Sequence, residues 1–219
     1  KHYDVGNDLF SLMLDERMNY SCGYWRNAEN LSQAQINKLD LICRKMHLRP
    51  GMSVLEIGCG WGAFAKYAAE NYGVSVHGVT ISKQQFEFAQ DSCKGLNVSI
   101  ELKDYRELNG QYDCIVSVGM FEHVGYKNYK KYMEVVHRCL KEEGLFLLHT
   151  IGRNHSRSVT DPWINKYIFP NGMTPSVQQI GTASEGLFVV EDWHNFGQDY
   201  DATLMSWNKN FQNNFDKLK

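Results

Sequence analysis

The sequence predicts an α/β fold in which helices cover both faces of a mostly parallel central sheet. Three observations predict it. Five short apolar runs rich in β-branched residues alternate with segments of helical periodicity, the pattern of strand–helix–strand units. The first of these runs, within VLEIGCGWG (Val54 to Gly62), breaks into glycines at alternate positions, Gly58, Gly60 and Gly62. The chain has 219 residues, 43% of them hydrophobic, enough for one full core.

The elements follow in order. From Ser32 to His47, Ile36, Leu39 and Cys43 recur at helical spacing with Ser32 as N-cap, and Arg49-Pro50-Gly51 stops the helix. Ser53 to Ile57 reads as the first strand, and Ala63 to Asn71 as a helix ended by Tyr72-Gly73. A second strand spans Val74 to Val79, and Thr80-Ile81-Ser82 opens a helix that runs to about Lys94. Val98 to Leu102 and Tyr112 to Val118 are strands three and four, the latter followed by a loop from Gly119 to Gly125. Lys127 to Leu140 is amphipathic, with Tyr129, Met133, Val136 and Leu140 on one face. Gly144 to Thr150 is the fifth strand. Beyond Ile151, Asp161 to Tyr167 and Ser176 to Ser184 read as short helices capped by Asp161 and Ser176, and Phe188 to Trp193 as a further strand. Trp207, Phe211 and Phe215 stand at i, i+4, i+8 and suit an apolar face docked on the domain better than a membrane-binding stripe.

Composition narrows the function. A net charge of −2 offers no bulk attraction for nucleic acid. The six cysteines are scattered, with no C-x-x-C, which argues against a zinc cluster or disulfide framework and for a reducing compartment. No run of 18 apolar residues is present, nor a signal peptide. A chain that begins at Lys1 and ends at Lys219 inside a helical pattern reads as a fragment of a longer protein.

In an open α/β sheet, ligands bind beyond the carboxyl ends of the strands. Glycines there allow tight turns and close approach to a ligand, and the following helix start presents free N–H groups. The G-x-G-x-G spacing, with Glu56 two residues before Gly58, favours S-adenosylmethionine over a dinucleotide. The ribose-binding acid common at the end of a second strand is replaced by Thr80, a departure from both a generic dinucleotide-binding and a generic methyltransferase pattern, and it disfavours a dehydrogenase. Thr80, Ser82 and Gln85 offer polar groups to a cofactor, although Thr80 and Ser82 also suit a helix cap. Tyr105, within Asp104-Tyr105-Arg106, can lie against adenine or belong to a solvated turn. Glu122 and His149 end two strands. Each alone reads as a surface glutamate or a core histidine, but both project at the edge that carries the glycine loop, as acid–base or anion-binding sites require.

The segments HYDVGNDLF, YSCGYW, VLEIGCGWG, GVTIS, DYREL, VSVGMFEHVG, FLLHTIG, DPWINKYIFPNG and EDWHNFGQDY resemble, in order along nearly the whole chain, the bacterial cyclopropane-fatty-acyl-phospholipid synthases and their relatives, the mycolic acid cyclopropane synthases. The resemblance implies a Rossmann-like class I methyltransferase fold. It implies a single catalytic domain over 1–219, with an N-terminal helical cap region (1–50), a cofactor-binding core (51–151) and a lipid-site and C-terminal part (152–219). The implied cofactor site comprises Tyr20, Ser21, Gly58, Cys59, Gly60, Trp61, Gly62, Thr80, Ile81, Gln85, Asp104, Tyr105 and Arg106. A bicarbonate ion is implied on Cys22, Glu122, His149, the backbone of Ile151, and Tyr200. The implied substrate is a phospholipid with an unsaturated acyl chain, met by peripheral contact at the inner membrane surface in the cytoplasm, with a homodimer as a possible assembly. Members carry a further N-terminal region and a C-terminal extension with a cysteine, neither present in these residues. The competing readings are a methyltransferase that makes methyl-branched or hydroxylated chains or methylates an amine, and a non-catalytic lipid- or cofactor-binding module. The set Cys22, Glu122, His149 and Tyr200 disfavours amine transfer, which needs no base for a carbocation.

Overall fold

A computed structural model describes residues 7–218. The motif residues His2 to Gly6 lie outside them. Five strands, β1 Ser53–Ile57, β2 Ser75–Thr80, β3 Val98–Leu102, β4 Tyr112–Val118 and β5 Leu140–His149, form one parallel sheet in the order β3-β2-β1-β4-β5. The order reverses between β1 and β4, so the loops after these two strands diverge to opposite faces and leave a crevice between them. Among the described residues, eight α-helices accompany the sheet: α1 Asn7–Met13, α2 Leu31–Lys45, α3 Ala63–Tyr72, α4 Lys83–Ser92, α5 Tyr129–Cys139, α6 Pro162–Tyr167, α7 Val177–Ser184 and α8 Asp199–Asn214.

The pleat of β1 divides the core. Val54 joins Leu39, Ile42, Phe64 and Ala68 on the α2–α3 side, whereas Leu55 and Ile57 pack with Tyr132, Met133 and Val136 of α5 on the other. The period of two places Glu56 on the α2 side, beneath the glycine loop. A third cluster joins Phe10 and Leu14 to Trp61 and to Trp207 of α8, so α1 and α8 close over the start of α3. No helix among the described residues is long and apolar enough to cross a membrane.

Three of the five strands have the expected limits, and Asp161 and Ser176 cap α6 and α7 as expected. Four readings need correction. The cap of α2 is Asn30, not Ser32: its side chain accepts from the Gln33 N–H at 3.0 Å, and the helix starts one residue earlier. The Gly119 to Gly125 loop contains a tight helical turn over Phe121–His123, and α5 starts at Tyr129 after a second such turn over Tyr126–Asn128. β5 begins at Leu140, so the chain leaves α5 directly into the sheet. Phe188 to Trp193 is not a strand. Phe188 packs on His137 and Phe146, Asp192 pairs with Lys45 of α2, and Val189 and Val190 face solvent. The β-branched run therefore has side-chain anchors but no ladder. At the other end, Trp207 of the expected docking face is buried, while Phe215 is exposed.

Candidate cofactor and anion site

The glycine loop is built by backbone conformation. Gly58, Gly60 and Gly62 all have positive φ, of 82°, 54° and 85°, a region that side chains with a Cβ avoid. The N–H groups of Gly58 and Cys59 both donate to the Val79 carbonyl at 2.9 Å, which pins the loop to β2. The three glycines are not equivalent. A Cβ on Gly58 would stand 2.6 Å from the Met120 side chain, whereas one on Gly60 would meet no atom within 4 Å. Gly60 therefore borders the open space of the crevice, and Gly58 is the contact between the β1 and β4 loops.

Glu56 lies buried below this loop, and its Oε2 has no hydrogen-bond partner among the described residues. Burial pushes its pKa up to about 8, against the Ala65 backbone N–H and the Lys38 charge. Thr80, Ser82 and Gln85 form one network. The Thr80 hydroxyl donates to Gln85 Oε1 at 2.9 Å, and Ser82 caps α4 by accepting from the Gln85 N–H. The capping role of Ser82 is thus realised, and Thr80 fixes the Gln85 amide. Ile81 stands on the rim, 79% exposed. Asp104 is held by a double contact from Arg106 and caps the turn that carries Tyr105, whose ring packs on Tyr132. Trp61 gives its backbone to the loop, while its indole is buried and donates to Asn7 Oδ1.

The segment from Tyr20 to Trp25 crosses the site and is fastened on two sides. Towards α2, Gln35 Nε2 donates to the Ser21 carbonyl at 2.9 Å and Lys38 Nζ to the Ser21 hydroxyl at 2.8 Å. Towards α8, the buried Thr203 hydroxyl accepts from the Gly23 N–H and the Trp25 indole, and Asp199 accepts from the Trp25 N–H. Tyr20 packs among Phe10, Trp207 and Phe169.

Of the rest of the expected set, Tyr200 lies close enough to Cys22 and Glu122 to feel their charge, and Ile151 is bonded to Glu122. Tyr200, in the first turn of α8, has its phenol pKa raised by burial, and then by Cys22, Glu122 and Tyr20. Burial pushes the Cys22 thiol up to about 11. Glu122 Oε1 accepts from the Ile151 N–H at 2.8 Å, while its buried Oε2 is unpartnered among the described residues. Burial raises the Glu122 pKa, against the Ile151 N–H. His149 stacks on Phe196, with centroids 5.4 Å apart and planes 19° apart, and its buried Nδ1 has no partner among the described residues. Burial and the Lys38 charge lower its pKa to about 3, so it is neutral at pH 7. The Ile151 N–H, expected to face an anion, is occupied by Glu122. It acts on the site through that carboxylate.

Buried unpartnered polar atoms are costly, on the order of 1–3 kcal/mol each. Three of them, Glu56 Oε2, Glu122 Oε2 and His149 Nδ1, belong to residues on or just after β1, β4 and β5. Together with the open Gly60 cradle, this fits a nucleoside-bearing ligand over the loop and a small polar one beside it.

The sequence reading missed Lys38, Gln35, Thr203 and Phe196. For the first two a signal existed: the buried positions Leu31, Ala34, Gln35, Lys38, Leu39 and Ile42 form one helical face, so a lysine and a glutamine interrupt an apolar stripe. Thr203 and Phe196 carry no such signal, because the contacts that matter here, Thr203 with Gly23 and Trp25 and Phe196 with His149, join residues far apart in the chain.

Comparison with known proteins agrees with the geometry. The chain is 64% identical over 211 residues to a cyclopropane-fatty-acyl-phospholipid synthase of Escherichia coli strain K12, covering 96% of this chain and 55% of that protein. It is 40% identical over 230 residues to a probable fatty acid methyltransferase of Pseudomonas putida, covering 99% and 58%. It therefore spans little more than half the length of these relatives. The crystal structure of mycolic acid cyclopropane synthase CmaA1 complexed with SAH and CTAB superposes with a TM-score of 0.91 at 34% identity, covering 99% of this chain and 82% of that one. The family described as mycolic acid cyclopropane synthetase matches residues 1–219, and the chain belongs to that family.

Proposed function

We propose that the protein adds a methylene bridge across the cis double bond of an unsaturated phospholipid acyl chain, using S-adenosylmethionine as the donor and bicarbonate as the base. The observation that carries this reading is that Glu122 Oε2 and His149 Nδ1, on the loop after β4 and at the end of β5, are both buried and unpartnered among the described residues, with Tyr200 close enough to Cys22 and Glu122 to feel their charge.

S-adenosylmethionine, when bound, supplies an electrophilic methyl group. The Gly58 to Gly62 loop and the fixed Gln85 amide would hold it at the crevice, with Tyr20 and Ser21 closing one side. An alkene is a weak nucleophile, so alignment of the two reactants provides much of the rate. The methylated chain would be a carbocation, and the packed rings of Tyr20, Phe169 and Trp207 offer aromatic faces that stabilise charge without bonding to it. These rings also exclude water, which would otherwise hydrate the cation. Ring closure requires a proton to leave the new methyl. His149, Cys22 and Tyr200 supply donors for a small anion there, and Glu122 Oε2 accepts its hydroxyl. Held by these residues, such an ion would supply the base for that proton.

The bilayer surface as source of the chain is part of this proposal. Trp163 and Tyr167 on α6 are each 59% exposed, with the Lys166 ammonium 4.9 Å from the Tyr167 ring centre. Such amphipathic rings suit a membrane–water interface.

The test is incubation of the intact protein with S-adenosylmethionine and vesicles of a monounsaturated phospholipid, followed by mass spectrometry. A mass gain of about 14 daltons per chain with resistance to ozonolysis is the expected result. The same gain with an ozonolysis-sensitive chain assigns methyl branching instead, and no gain overturns the reading.

A further inference from the structure

Lys38 is 1% exposed, in the middle of α2 on the face turned to the sheet. Its ammonium makes one hydrogen bond, to the Ser21 hydroxyl, and no carboxylate among the described residues lies within ion-pair distance. A buried charge without a partner carries a large desolvation cost, so its retention calls for an explanation. The groups near it are Asp15, Cys22, Glu56 and, on β5, His149. Two of these, Cys22 and His149, belong to the expected anion site. That site has a deficiency of its own. Its protein groups are a glutamate, a neutral imidazole, a thiol and a phenol, and none brings a positive charge to an anion.

We propose that Lys38 is the buried cation of the anion site: a positioning residue that lies behind Ser21 and Cys22, holds that segment, and supplies across it the field that draws in bicarbonate. The inference rests on the reading that the site takes bicarbonate. At pH 7 the ammonium is retained, since burial lowers its pKa only to about 8. A charge acting through one layer of protein is worth on the order of a kcal/mol or more, about a tenfold change in affinity.

The experiment uses the intact protein with S-adenosylhomocysteine bound. Binding of 13C-labelled bicarbonate is followed by line broadening in 13C spectra, and cofactor affinity by calorimetry. Lys38→Gln keeps a donor for the Ser21 hydroxyl and removes the charge. It should raise the half-saturating bicarbonate concentration about tenfold, with S-adenosylhomocysteine affinity within about twofold of wild type. Lys38→Arg, which keeps the charge, should recover part of the loss. Wild-type bicarbonate binding in Lys38→Gln overturns the inference, as does a loss confined to cofactor affinity. If Lys38→Gln does not fold, the same titration on Lys38→Met, whose unbranched apolar stem suits the buried face, decides it. Absence of broadening in the wild type is a different failure: it removes the ion itself, and the role of Lys38 with it.

Discussion

The Ile151 N–H donates to Oε1 of Glu122 at 2.8 Å, across the gap between the loops that follow β5 and β4. The bond fixes which carboxylate oxygen is spent on structure and which remains for a ligand. It also explains how a residue in a short helical turn holds its side chain steady at a buried site.

Glu122→Gln is the sharpest test of that division. The glutamine carbonyl can still accept from Ile151, which places an amide donor where the unpartnered Oε2 now stands. Turnover of the intact protein should fall on the order of a hundredfold, with cofactor affinity nearly unchanged and added bicarbonate restoring part of the rate. Steady-state kinetics with calorimetry on S-adenosylhomocysteine checks it. Unchanged turnover removes Glu122 from the role, and an equal loss of cofactor affinity makes it a cofactor ligand.

Gly60→Val and Gly58→Ala should separate binding from stability. Gly60 has free space above it, so valine meets no clash and costs upwards of about 1–2 kcal/mol through its positive φ, but it fills the cofactor's approach. Calorimetry should show no S-adenosylhomocysteine binding to a folded protein. Gly58→Ala adds an overlap with Met120 to the same backbone strain and should lower the melting temperature more.

Thr203→Val leaves the Gly23 N–H and the Trp25 indole without their acceptor. Each loss costs on the order of 1–3 kcal/mol, so the melting temperature should fall by roughly 4 °C or more. Because Tyr200 shares α8 with Thr203, turnover should fall too. An unaltered melting curve would refute the tie between α8 and the Tyr20 to Trp25 segment.

His149 sets an acid limit. Its pKa is lowered from 6.5 to about 3 in the folded chain, so the unfolded chain takes the proton first as pH falls. Its contribution is present above pH 6.5 and is lost progressively towards pH 3. His149→Phe, which preserves the stack on Phe196, should show a shallower fall in melting temperature over this range. Parallel curves for the two proteins would show that His149 does not report a buried neutral ring.

The sequence made the sheet legible because parallel strands buried on both faces read as apolar runs closed by turn residues, and Ser53, Tyr112 and Val98 sit at such boundaries. Phe188 to Trp193 shows the limit: β-branched residues state a preference, but a strand needs a partner ladder, and that is a tertiary fact. The glycine loop, Glu122 and His149 were legible from the rule that ligands sit beyond strand ends. Lys38 was not, because lysine is read as a surface residue unless the helical face is followed through it. The use of the Ile151 N–H by Glu122 was also hidden, since backbone donors look alike in a sequence.

The contact between Gly58 and Met120 has a mechanical consequence. It works as a spacer of fixed thickness between the glycine loop after β1 and the turn that bears Glu122, two residues beyond Met120. Bulk added on one side must be removed on the other, or the two loops are pushed apart. A library randomised at both positions and selected for activity should therefore return reciprocal pairs, with the summed volume of the two side chains held nearly constant.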